Sequence, residues 1–150
     1  RFVQDADWPH AMPDATCRQF AASLATDHAG TLDRFLGLQV RGGEAARETL
    51  RELRAAIRAR PAPLPGALRA GLELLLGVDL RAELPRLQTP SLWLFGDRDT
   101  LVPPEVASAL ETLIRSAEIL ILHGAAHAPF LSSPDLFIEL LGRFLDEVSA

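Results

Sequence analysis

A chain of 150 residues is long enough for one domain with a real core, or for part of a core with a small appendage, and too short for two full domains. With 48% hydrophobic and 23% charged residues the composition is that of an ordinary globular protein; no apolar run is long enough to span a bilayer, and a formal net charge of −5 argues against general nucleic-acid binding, which needs surplus Lys and Arg facing phosphate. A single cysteine, Cys17, excludes an internal disulfide and a cysteine-based zinc cluster, and with no secretory leader in view a reducing cytoplasm is expected.

The first half reads as a run of helices broken by Pro and Gly. Asp14 can cap a helix whose apolar positions Cys17, Phe20, Ala21 and Leu24 recur at helical spacing. After Gly30, Leu32, Phe35, Leu36 and Val40 repeat that spacing until Gly42 and Gly43 stop it. A third helix is expected over about residues 44–60, burying Ala46, Leu50, Leu53 and Ile57 and ended by Pro61, Pro63 and Pro65; a Leu-rich fourth, over about 67–76, closes this half. From Val78 the rhythm becomes strand, helix, strand, helix. SLWLF (91–95) and EILIL (118–122) read as buried parallel strands. A helix from about Pro104, with Val106, Leu110, Leu113 and Ile114 inward, joins them, and a last helix begun by Ser133 and Pro134 carries Phe137, Leu140, Leu141, Phe144 and Val148 on one face. The chain is thus expected to be α/β but mostly helical, a helical region followed by a βαβα unit with a right-handed crossover. Two parallel strands make no stable sheet alone, and the chain opens Arg1-Phe2-Val3 with no initiator Met, so further strands are expected upstream.

In parallel sheets, functional groups gather on the loops beyond the carboxyl ends of the strands. Here those loops read Gly96-Asp97-Arg98-Asp99 and His123-Gly124-Ala125-Ala126-His127. A carboxylate bonded to one imidazole nitrogen fixes the tautomer and leaves the other free to take a proton from a nucleophile. Asp99 is the preferred acid because it lies deeper in its loop, whereas Asp97 can pair with Arg98 or cap the turn; His127 is the preferred base, since His123 abuts its strand and suits a structural role. No nucleophile accompanies them. None of the seven serines stands in a G-x-S-x-G elbow, and Cys17 lies on an apolar helix face. In the order nucleophile, acid, histidine the missing residue belongs before Arg1, and the chain by itself is expected to be inactive.

The stretch from Val78 onward, with Asp79-Leu80-Arg81, Leu87-Gln88-Thr89-Pro90 ahead of the strand, Gly96 and Asp99 with Val102-Pro103, and His127 before the last helix, resembles the carboxy-terminal part of the α/β-hydrolase superfamily. The segments from Asp33 to Gln39, from Gly71 to Leu75 and from Ala125 to Phe130 narrow the resemblance, over essentially the whole chain, to the biotin-pathway esterases that hydrolyse pimeloyl-[acyl-carrier protein] methyl ester. The resemblance implies a helical lid over residues 1–78 and the carboxy-terminal core over 79–150, with Asp99 and His127 as triad members. It assigns Phe35, Leu36, Gly37, Leu38 and Gln39, together with His127, to substrate contact, and Arg34, Arg47 and Arg51 to docking of the carrier protein. A further family arginine falls on Gly30 here, and the serine elbow and oxyanion hole have no counterpart. The implied activity is that of a serine carboxylesterase releasing free carboxylate and methanol, with no metal or organic cofactor. The implied partners are the carrier-bound ester and the missing N-terminal half, with no nucleic acid and no membrane. Two other readings stay open: another lidded α/β-hydrolase acting on small esters or lactones, and a non-catalytic carrier-binding module.

The third helix supports an acidic partner on its own terms. Arg47, Arg51, Arg54 and Arg58 are spaced to form one ridge at about 100° per residue. Like charges at those spacings repel by about 0.2 to 0.5 kcal/mol per pair, which an acidic partner would relieve. Glu44, Glu48 and Glu52 could instead offset the ridge and leave it a solvated face.

Overall fold

The structure, a computed structural model, describes residues 1–149. Helices α1 (Asp14–Thr26), α2 (His28–Val40), α3 (Ala46–Arg58) and α4 (Pro65–Gly77) fill the first half. A 3-10 turn (Leu84–Arg86) leads into β1 (Ser91–Gly96), α5 (Glu105–Leu113), β2 (Ala117–Leu122), a short α6 (Pro129–Ser132) and α7 (Pro134–Ser149).

Local chemistry sets where these helices begin. Asp14 is not the cap of α1: Pro13 holds that position without a side-chain bond, and Asp14 sits in the first turn, where its carboxylate meets the positive helix end and pairs with Arg18 at 2.6 Å. Helix α2 starts ahead of Gly30 because Asp27 caps it, accepting the Gly30 N–H at 3.0 Å. Helix α4 opens on a proline, whose missing N–H would have had no partner in a first turn. Helix α3 is shorter than its sequence pattern at both ends. Thr49 is buried, Leu50 and Leu53 are half-buried, and Ile57 in the last turn is exposed.

Residues 1–12 are the part the pattern did not reveal. They fold back through isolated bridges between Val3 and Met12 and between Asp5 and Trp8. Trp8 and Ala11 enter one apolar cluster with Phe95, Val106, Ala107, Leu110 and Ile114, while Val3 and Met12 join Cys17 and Leu101 in a second.

The strands pair in parallel, from Ser91 opposite Ala117 to Gly96 opposite Leu122. They are less buried than their apolar sequences predict: residues 91–94 and 117–120 are half-buried and Ile121 is exposed. Helix α7 departs in the same way. Phe137, Leu140 and Phe144 are half-buried, but Leu141 and Val148 are exposed beside Ile138 and Leu145. The reason is common to both, since parallel strands need cover on both faces and the described residues do not supply it.

Candidate active site

The register places the ends of β1 and β2 side by side, so the loops that follow leave the sheet at one level. They are stitched together by backbone bonds, Asp97 N–H to Leu122 O at 3.1 Å and Arg98 N–H to Ala125 O at 2.9 Å. A Cβ on Gly96 would fall 2.3 Å from the Ala125 carbonyl oxygen and 2.4 Å from that of Ala126, so only glycine lets the second loop cross the end of β1.

This crossing brings Asp99 and His127 together. The Asp99 Oδ2 to His127 Nδ1 distance is 2.8 Å, and Asp99 Oδ1 accepts the N–H groups of Leu101 at 2.8 Å and Val102 at 3.0 Å. Asp99 is buried, with 7% of its surface exposed. The backbone of His127 is held from the helical half, its N–H donating to Gln39 O at 3.1 Å. Because a carboxylate only accepts, the proton of that imidazole lies on Nδ1 and Nε2 is the free, basic nitrogen. The arrangement can orient an imidazole for proton transfer and stabilise its charged form.

Asp97 does cap the turn, accepting the Gly124 N–H at 2.8 Å, but the side chain it meets is His123 and not Arg98. Arg98 reaches back to Gly42 O at 3.1 Å and lies 3.5 Å from Glu44 Oε1. His123 is a surface residue, not a packed strand-end one. Ser23 lies in α1 and Ser108 in α5, Ser91 opens β1, and Ser132 ends the short α6 rather than capping the last helix. Cys17 is packed, and burial pushes its thiol above the ordinary value.

The five residues from Phe35 to Gln39 divide among surroundings. Phe35 and Leu38 line an apolar cleft of about 320 Å³ between α1, α2 and α4, opposite Phe20, whose ring centroid is 5.4 Å from that of Phe35. Leu36 is buried away in the core, Gly37 has open space around it, and Gln39 touches His127 through its carbonyl. Met12, Phe20 and Leu101 also line the cleft; of these, helical spacing marks Phe20 as an apolar helix position, and nothing in the sequence joins the three to one site. His127 and Asp99 border a separate cavity of about 350 Å³ with Trp8, Phe95 and Val106.

The arginines of α3 line an open groove floored by Leu50 and Ala55. Arg54 is tied to Asp33 of α2 by two bonds of 2.7 and 2.6 Å, which hold that carboxyl below its usual range. Arg51 pairs with Glu48 at 3.1 Å, whereas Arg47 and Arg58 have no ion pair among the described residues. Of the expected offsets, then, Glu48 serves and Asp33 replaces Glu52. Arg34 bonds Thr31 at 2.8 Å and pairs loosely with Asp27 at 3.4 Å. Among the described residues no helix is long and apolar enough to cross a membrane, and no cluster of His, Cys, Asp and Glu is arranged to hold a metal.

Strands, crossing loops and helical half together have the fold of an α/β-hydrolase, or about half of one. The structure superposes on an esterase from Exiguobacterium antarcticum with a TM-score of 0.83 at 19% identity, covering 97% of this chain and 53% of that one, and on a bromoperoxidase from Bacillus anthracis with 0.82 at 23%, covering 97% and 54%. In sequence the chain is 46% identical over 149 residues to the pimeloyl-[acyl-carrier protein] methyl ester esterase of Stenotrophomonas maltophilia, and 45% identical over 148 residues to that of Xanthomonas oryzae pv. oryzae. Both matches cover 99% of this chain, and the chain spans 58% of the length of these curated relatives. The chain is thus a homologue of pimeloyl-[acyl-carrier protein] methyl ester esterases. No family model matches it.

Proposed function

We propose that this chain is the lid, residues 1–78, and the carboxy-terminal core, residues 79–150, of a serine carboxylesterase that hydrolyses pimeloyl-[acyl-carrier protein] methyl ester in biotin biosynthesis. Ala150 lies outside the described residues. The observation that carries this reading is the buried Asp99 bonded at 2.8 Å to His127 Nδ1, which leaves Nε2 free. An upstream segment of the same polypeptide supplies the serine. Nε2 takes the serine proton as the hydroxyl attacks the ester carbonyl, then returns it to the departing methoxide, so that methanol leaves and an acyl-enzyme remains. Water, activated by the same nitrogen, releases the free carboxylate. No step needs a metal or organic cofactor.

The cleft beside Phe35 and Leu38 suits the apolar middle of an acyl chain, and exposed Arg34, Arg47 and Arg51 suit an acidic carrier. A single packed Cys17 has no need of an oxidising compartment, in keeping with the cytoplasm.

The test compares the 150-residue chain with the protein that includes the upstream segment, on a short p-nitrophenyl ester and on the carrier-bound methyl ester. Activity should appear only with the upstream segment and favour the carrier-bound ester. Robust hydrolysis by the chain alone, abolished by Asp99→Ala, would overturn the reading.

A further inference from the structure

Residues 39–44, from the last turn of α2 to the approach to α3, carry more cross-links to the two site loops than the Asp99–His127 pair needs. Gln39 O accepts the His127 N–H at 3.1 Å, and the Glu44 N–H donates to Gly124 O at 3.2 Å. The third link is a side chain. Arg98 lies between Asp97, which caps the histidine loop, and Asp99 itself; its N–H bonds Ala125 O at 2.9 Å, and its guanidinium turns the other way, to Gly42 O at 3.1 Å and toward Glu44 Oε1 at 3.5 Å. One residue therefore grips the histidine loop with its backbone and the approach to α3 with its side chain.

From this geometry we infer that Arg98 is a positioning residue for the reaction proposed above: it fixes the docking ridge of α3 relative to Asp99 and His127. The inference rests on that proposed function. Glu44 stands just ahead of α3, and Arg47 and Arg51 follow three and seven residues later along a stiff helix, so the grip at residues 42–44 sets where the ridge stands. A guanidinium suits the task because its planar fork presents several donors in fixed geometry, enough to span a carbonyl and a carboxylate. Arg98 is 39% exposed and Glu44 72%, so their pairing is screened and contributes direction more than stability. The Asp99–His127 bond itself does not pass through the Arg98 side chain.

The consequence separates two kinds of ester. A carrier-bound ester is held at the ridge, so the distance from ridge to His127 decides whether its carbonyl meets the serine; a free ester is placed by the pocket alone. In the full-length protein, Arg98→Ala is expected to lower kcat for the carrier-bound ester about tenfold, since small misplacements of reacting groups cost that much or more, while leaving KM near its original value. The loss on a free methyl ester should be several times smaller. Arg98→Lys, which keeps the charge but loses the fork, should recover only part of the rate. Amide exchange at Glu44 should quicken in Arg98→Ala while Leu36, inside α2, stays protected, which shows that the variant is folded.

Equal losses on both esters would overturn the inference, because the residue would then serve the loop itself. A rise in KM without a fall in kcat would also overturn it, making Arg98 one more docking charge, as would unchanged kinetics. Failure of the unmodified full-length protein to hydrolyse the carrier-bound ester at all would show that the underlying function is wrong, and the inference would fall with it.

Discussion

Two aspartate–histidine pairs lie next to each other at the end of this sheet, and they have opposite characters. Asp97 with His123 and Asp99 with His127 join the same two loops through the same kind of contact. The side chains of His123 and Asp97 are 89% and 25% exposed, whereas those of His127 and Asp99 are 34% and 5% exposed. The backbone makes the second difference. Asp97 spends one oxygen on the Gly124 N–H, which shapes the turn, while Asp99 is locked by two N–H groups and His127 is anchored through its own N–H to Gln39. A histidine paired with a carboxylate is thus not by itself an oriented one. What distinguishes His127 is an orientation held at the ring by a locked Asp99 and at the backbone by Gln39, with one ring nitrogen left over.

The strongest way to break this comparison is to remove each histidine in turn from the full-length protein. His127→Ala should lower kcat about ten-thousandfold or more with little change in melting temperature, as loss of a triad member does, while His123→Ala should stay within about twofold. Comparable losses would mean that the exposed pair shares the chemistry.

The aspartates sharpen the same contrast. Asp99→Asn should reduce kcat about a thousandfold or more, because the amide favours the wrong imidazole tautomer. Asp97→Asn keeps an oxygen for the Gly124 N–H and should leave the rate nearly unchanged. Asp97→Ala, which leaves that buried N–H unpaired, should instead reduce stability by about 1 to 3 kcal/mol in urea unfolding. If the two Asn variants proved reversed, Asp97 would be the acid.

A smaller effect is expected from the exposed charges of α3, where Arg47 has no ion pair among the described residues and Arg51 has only a solvated pair with Glu48 in its own helix. Arg47→Glu with Arg51→Glu should raise KM for the carrier-bound ester about tenfold and change free-ester hydrolysis far less, as rim charges chiefly govern encounter with a charged partner. The effect should weaken with added salt, since exposed charges are screened over about 8 to 10 Å near physiological ionic strength. Equal losses on both esters would point to damage in α3.

Much of this was legible because the informative residues are local. The strand, the glycine after it and the following Asp or His are contiguous in sequence, so the βαβα unit and the meeting of Asp99 with His127 follow from position along a loop. The partners of Asp97 and Arg98 were not legible, because His123, Gly42 and Glu44 meet them only after the loops cross at Gly96. Residues 1–12 were missed for a related reason: Val3, Trp8 and Met12 have no helical or alternating period, and their burial comes from contacts with β1, α5 and Leu101. The exposed faces of β2 and α7 differ again. Their apolar patterns are correct for a sheet covered on both sides, and the described residues do not cover it.

Between the buried Asp99 and the solvent-exposed His123 pair stands a third arrangement, Asp79 with Arg81, which should give the smallest effect. The Arg81 side chain bonds both oxygens of Asp79, its backbone N–H bonds Oδ1 as well, and Arg1 approaches at 3.4 Å. These donors, Arg81 first, hold the Asp79 carboxyl well below its ordinary value near 3.8. The folded state therefore binds the proton more weakly than the unfolded state. The stabilisation is fully present above the unfolded value and is lost as pH falls from about 4 toward the folded value. Asp79→Asn should lower the urea midpoint at neutral pH by less than Asp97→Ala does, because the pair is partly solvated and screened. It should also flatten the fall of that midpoint below about pH 4. A midpoint that runs parallel to the unmodified protein from neutral pH into the acid range would show that the bonds between Asp79 and Arg81 hold no net stability.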